Sequence, residues 1–139
     1  MRIGCARAWK NSAFIFTYDE AGDFYDHVPP QPAVLPDNKA PRFLESFDVR
    51  ATYDRTGFRL PLIVVSPFAK KHFVSHTVMD YTAILKFIET RFGLPSLTAR
   101  DAAQPDMTEF FDFGDPAWLT PPADVPRQPT VGPCTYQIP

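Results

Sequence analysis

Three stretches of this chain carry a hydrophobic pattern regular enough to predict elements. Ala13-Phe14-Ile15-Phe16-Thr17-Tyr18 is an apolar run that reads as a buried strand. Leu62-Ile63-Val64-Val65 is continuous and largely β-branched, with Pro61 and Pro67 at its ends. It reads as a central strand covered on both faces. Tyr81, Ile84, Leu85, Ile88 and Phe92 fall at i, i+3, i+4, i+7 and i+11, the single stripe of a helix packed on a core. Ahead of it, Thr77-Val78-Met79-Asp80 has capping-box spacing. Gly93 and then Pro95 mark its end.

The segments between are less regular. Trp9 to Ser12 reads as an entry turn to the first strand, and Gly57 marks a turn before the second. Phe43 to Arg50 alternates only partly, so a weak strand and a loop both fit. Prolines crowd Val28 to Pro41 and Pro116 to Pro139, which predicts two extended segments, the second a surface tail. The expected organisation is therefore one domain over residues 1–115 and a Pro-rich tail over 116–139. Two secure strands and one helix make a fragment of an α/β sheet. A strand buried on both faces needs neighbours that this chain does not supply, and Met1 opens almost directly onto a core strand. The expectation is the carboxyl-terminal part of a larger fold.

Composition narrows the classes. A hydrophobic share of 45% and a charged share of 22% over 139 residues are values of a globular domain. A formal net charge of -2, without a basic stripe, gives no electrostatic case for nucleic acid or anionic membrane. No window is long and apolar enough for a transmembrane helix. The first ten residues lack the apolar run of a secretory signal. Cys5 and Cys134 lie near opposite ends, and free thiols are expected of them, although two cysteines alone neither establish nor exclude a pairing.

The chemistry concentrates where the first strand ends. Asp19 and Glu20 follow its apolar run directly. Two carboxylates side by side near a core require a cation, a proton or an arginine. In a regular strand they would point to opposite faces, so the chain must turn at or just after Asp19 for both to meet one ion. Ala21-Gly22 supplies small residues for that turn. Two hard oxygen donors suit a divalent cation without choosing among magnesium, calcium, manganese and zinc. An exposed acidic turn or a capping Asp is the competing reading. His27 is the candidate general acid, or a hydrogen-bond partner of a ligand carboxylate; pinning of the Pro-rich loop by Asp26-His27 is the simpler role. His72 and His76 precede the helix rather than share its face. Lys70-Lys71, Arg59 and Ser66 have solvated, packing or turn roles as their default, and Arg100-Asp101 reads most simply as a local ion pair or a turn. Phe110, Phe111, Phe113 and Trp118 form an aromatic cluster that packs the tail on the domain or faces a lipid.

The residues from Trp9 to Pro30, including Asp19-Glu20-Ala21-Gly22-Asp23-Phe24-Tyr25-Asp26-His27, resemble the carboxyl-terminal signature of the bacterial phosphoesterase family. That family includes phosphatidylcholine-type phospholipases C and acid phosphatases. Gly57 to Lys70, His76 to Glu89 and Leu97 to Asp101 resemble its further blocks, in order, so the likeness runs from about Trp9 to Phe113. The resemblance implies an alkaline-phosphatase-like α/β/α sandwich, incomplete here, that hydrolyses phosphoesters, phospholipids among them. It assigns Asp19 and Glu20 as ligands of a divalent metal ion. It places the other ligands and the hydroxyl nucleophile in an amino-terminal portion with no counterpart here, so the isolated chain is expected to be inactive. It also implies export, with the signal in that same portion. The family usually carries Gly-Gly after its Asp-Glu; this chain has Gly22-Asp23.

Overall fold

The computed structural model describes residues 8–20, 25–40, 45–48 and 51–124. Its regular elements are β1 (Phe14–Thr17), β2 (Leu62–Val65), α1 (Thr82–Phe92) and α2 (Ala99–Ala102), with 3₁₀ turns at Trp9–Asn11 and Thr108–Phe110. Both expected strands and the expected helix are therefore present, and the Trp9 turn leads into β1 as anticipated. Cys5, Cys134, Gly22-Asp23 and half of the Phe43–Arg50 stretch lie outside the described residues. Glu45–Asp48 is a turn closed by the Asp48 N–H on the Glu45 carbonyl at 3.0 Å.

The two strands pair antiparallel, Phe14 opposite Val65 and Thr17 opposite Leu62. Opposed residues share a face. One face therefore carries Phe14, Phe16, Ile63 and Val65; the other carries Ile15, Thr17, Leu62 and Val64. The second face is half-buried, whereas the first is open, with Ile63 53% and Phe16 44% exposed. The expectation of a strand covered on both faces thus fails for β2: among the described residues nothing lies over its outer side. The pairing also puts the carboxyl end of β1 beside the amino end of β2. Ser66 consequently sits at the opposite end from Asp19, buried and donating to the Ser12 carbonyl at 3.0 Å.

Helix α1 repeats the pattern. Of its expected core stripe, Tyr81, Leu85, Ile88 and Phe92 are exposed, and Ile84 alone is half-buried. Ala83 and Phe87, on the opposite side, make the contacts: Ala83 is fully buried and Phe87 stacks on Phe111 at 5.0 Å. The aromatic seam continues through Phe111–Phe113 and Phe68–Phe113, each 5.4 Å between centroids. Backbone bonds support the seam, from Lys70 N–H to Phe110 O at 2.9 Å and from Asp112 N–H to Phe68 O at 2.7 Å. Trp118 closes it, its N–H on the Pro67 carbonyl and its carbonyl accepting from Trp9 Nε1 at 2.8 Å. The small core comprises Trp9, Ala83, Met107 and Phe111.

Capping differs from expectation at one end of α1. Asp80, rather than Thr77, satisfies the first turn: its Oδ1 accepts from the Thr82 N–H at 2.8 Å and from the Thr82 hydroxyl. Thr77 donates to Glu109 instead. The other end is as read, with Gly93 in the left-handed region at φ 64° and the Leu94 N–H on the Glu89 carbonyl. The capping box belongs to α2, between Thr98 and Asp101. Among the described residues no helix is long and apolar enough to cross a membrane.

Candidate metal-carboxylate site

β1 ends at Thr17, and the chain bends through Asp19 and Glu20, as two convergent carboxylates require. Both residues are exposed. Among the described residues, no donor is hydrogen-bonded to either carboxylate, and no His, Cys, Asp or Glu joins them in a group of three or more suited to a metal. The structure thus supplies two oxygen-bearing side chains, adjacent and without protein partners.

The backbone that carries them is held. Tyr81, at the start of α1, places its hydroxyl 2.6 Å from the Asp19 carbonyl and also in hydrogen-bond contact with the Tyr18 carbonyl. Its single proton is shared between two peptide oxygens at the strand exit. Desolvation raises the phenol above its ordinary pKa, and the negative charges of Asp19 and Glu20 push it the same way. Both carboxylates therefore act electrostatically on the Tyr81 hydroxyl. The apolar pattern had assigned Tyr81 to the core stripe. The available signal was that it alone in that stripe has a hydroxyl, and a tyrosine O–H at a packed surface usually finds a partner.

Tyr81 is itself fixed through its neighbour. Arg100 Nε donates to Asp80 Oδ2 at 2.7 Å, both side chains only 13% exposed, while the Gln104 side chain accepts from the Asp80 N–H. The same guanidinium reaches the carbonyls of Tyr53 at 2.7 Å and Arg55 at 3.2 Å. Of the two simple readings the ion pair fails, since Arg100 and Asp101 do not pair with each other, and the local turn holds. Asp101 accepts from the N–H groups of Leu97 and Thr98, at 2.7 Å each.

His27 is exposed, and the described structure gives it no hydrogen bond. The loop is pinned by Asp26 instead. Its carboxylate takes a forked contact from Arg59, 2.7 Å at the closest, and also accepts from the Val28 and Arg59 N–H groups. The Arg59 side chain, then the Val28 N–H, hold the Asp26 carboxyl well below the usual carboxylate range. Arg59 is thus consumed by Asp26 and does not neutralise Asp19 or Glu20. The lysines lie over aromatic rings, Lys70 5.2 Å from Phe73 and Lys71 5.3 Å from Trp118. A cleft of about 870 Å³ opens between the half-buried sheet face, the 73–81 segment and the start of α1, lined by Thr17, Leu62, Phe73, Ile84 and Phe110 among others.

Paired carboxylates at a strand exit, in ordered blocks of this kind, define a class that comparison with known proteins makes specific. Residues 3–95 match the model described as the Phosphoesterase family. The chain belongs to that family. It is 38% identical to phospholipase C B of Mycobacterium tuberculosis over 120 residues, covering 78% of this chain and 22% of that protein. It is 35% identical to the hemolytic phospholipase C of Pseudomonas aeruginosa over 115 residues, covering 76% and 15% respectively. With the non-specific phospholipase C1 of Arabidopsis thaliana it shares 31% over 130 residues, covering 86% and 23%. The chain therefore spans less than a quarter of the length of these relatives.

Proposed function

We propose that this chain is the carboxyl-terminal part of a metal-dependent phosphoester hydrolase of the phospholipase C and acid phosphatase type, built on an alkaline-phosphatase-like sandwich. Its contribution is the pair Asp19 and Glu20, which would hold one divalent cation. The observation that carries this reading is their position: a bend at the strand exit, fixed backbone, and carboxylates without protein partners among the described residues. Two hard oxygen donors fit such an ion but do not complete its coordination, which takes six or more ligands for calcium or magnesium. The remaining ligands and the hydroxyl nucleophile would come from outside this chain. When bound, the ion supplies positive charge against the phosphoryl oxygens.

The exposed outer face of the sheet and the outward stripe of α1 support the same reading. Aromatic and β-branched residues in such number on a sheet face are the composition of an interior. In this proposal the rest of the phosphoesterase domain covers them, and the assembled protein is exported. The substrate is a phosphoester, a phospholipid or a phosphomonoester. A second reading, favoured by the same exposed face, is a partner-binding α/β module without catalysis.

The test is hydrolysis of p-nitrophenyl phosphorylcholine and p-nitrophenyl phosphate by the chain alone, and mixed with the complementary portion of a related phospholipase C. Activity only on mixing, lost with Asp19→Asn, is the expected result. Association without activity would favour the module, and activity retained by Asp19→Asn would remove the carboxylate from the mechanism.

A further inference from the structure

One side chain outside the carboxylate pair touches its backbone. Tyr81 directly precedes α1, the longest helix among the described residues, and reaches across to the end of β1, a sequence separation of 62 residues to Asp19. No side-chain hydrogen bond other than those of its hydroxyl joins α1 to this strand exit among the described residues. The bond falls on the two carbonyls that flank the Tyr18–Asp19 step, the point where the backbone must stop alternating for Asp19 and Glu20 to share a side. From this we infer that Tyr81 is the positioning residue of the carboxylate pair: its hydroxyl fixes the bend so that both side chains can serve one divalent cation. The inference rests on the metal reading proposed above.

A free acidic turn samples many backbone states, and each residue fixed costs about 1–2 kcal/mol of conformational entropy. Holding two carbonyls of the bend in the absence of the ion lowers that cost before binding, which is preorganisation. The hydroxyl has no other role available. The residue is 44% exposed, so packing alone does not account for it, and phenylalanine would serve an apolar stripe equally well. The anchor of the helix start is strong enough to transmit the constraint, because Asp80 is held by Arg100 and by Gln104 and in turn caps Thr82. The line from Arg100 through Asp80 and Tyr81 to Asp19 is a continuous run of hydrogen bonds and adjacent peptide units. Partners that orient metal ligands in this way are commonly worth ten- to a hundredfold in metal affinity.

Tyr81→Phe removes the hydroxyl and leaves the ring. Two readouts on the full chain decide the matter. In the metal-free protein, the ¹³C shifts of the Tyr18 and Asp19 carbonyls are expected to move on substitution, while those of Phe14 to Phe16 do not. In a manganese(II) titration followed by the EPR signal of the free ion, Tyr81→Phe is expected to bind about tenfold more weakly. Tyr25→Phe, also exposed, is the control and should bind as the unaltered chain does. Unmoved carbonyl shifts would overturn the inference whatever the metal does. Shifted carbonyls with unchanged manganese affinity would also overturn it, by leaving Tyr81 a structural role only. If Glu20→Gln binds as well as the unaltered chain, the metal reading itself falls; if the unaltered chain takes up no manganese, the two carboxylates do not hold the ion by themselves; either result overturns the positioning role.

Discussion

The acidic residues of the two ends of this molecule are treated in opposite ways. In the carboxyl-terminal half nearly every one is engaged. Asp80 is clamped by Arg100, and Asp101 accepts from Leu97 and Thr98. Asp106 accepts from the Thr108 N–H and hydroxyl, Glu109 from Ser75 and Thr77, and Asp112 from the N–H groups of Gly114 and Asp115. At the end of β1, Asp19 and Glu20 have a fixed backbone and unengaged side chains. The apolar residues also fall into two states, with the Phe87–Phe111–Phe113 seam stacked and the outer face of β1 and β2, like the outward side of α1, bare. One region is finished within this chain. The other has the form of a surface completed by something else.

That contrast can be broken or sharpened by substitution. Arg100→Ala should have the largest effect on stability. It leaves nearly buried Asp80 without its cation and frees the carbonyls of Tyr53 and Arg55, a loss on the order of 3 kcal/mol measurable by urea denaturation. If instead the chain barely notices, the finished region is not held as described.

Acid should act next. Burial alone would push the Asp101 carboxyl up, but bonds from the Thr98 hydroxyl and the Leu97 N–H outweigh it and bring it from 3.8 to about 2. A carboxyl lowered on folding stabilises fully above its unfolded pKa, and that stability is lost as pH falls through its folded one. The urea midpoint should therefore change little through Asp101 between neutral pH and pH ~5, then decline from about 4 towards 2. Asp101→Asn should flatten part of that decline.

Gly93→Ala is a smaller test. A Cβ there meets no atom within 4 Å, so only the left-handed backbone at φ 64° is penalised. The expected cost is about 1 kcal/mol. The smallest effect belongs to His27→Ala, within about 0.5 kcal/mol, because the loop is held by Asp26 and Arg59. A larger loss would show that His27 also pins it.

The sequence made some of this legible and hid the rest for definite reasons. Periodicity located β1, β2 and α1 because these are local patterns, and Gly93 announced the helix end by its backbone freedom. The same periodicity misjudged burial, since an apolar stripe reports what it is suited to face and not whether that partner lies within the chain. Asp19 and Glu20 stood out through adjacency to an apolar run. Tyr81 and Arg100 did not, and Asp26 was legible as a pin of its loop but not through Arg59, because these partners lie 33 to 66 positions away, or 20 in the case of Asp80, and no local pattern records such pairings. Thr77 and Asp80 show the remaining ambiguity: a capping-box spacing was present, but the acid made the cap and the hydroxyl turned to Glu109.

Paramagnetic broadening by sub-stoichiometric manganese(II), read on the side-chain carboxylates of the whole chain, tests the central idea most directly. Asp19 and Glu20 should lose their signals first, with the Tyr81 ring close behind, while Asp106 and Asp112 stay sharp. Equal broadening of all the acids, or earliest loss at Asp106 and Asp112, would mean that the pair at the β1 exit has no special claim on a cation.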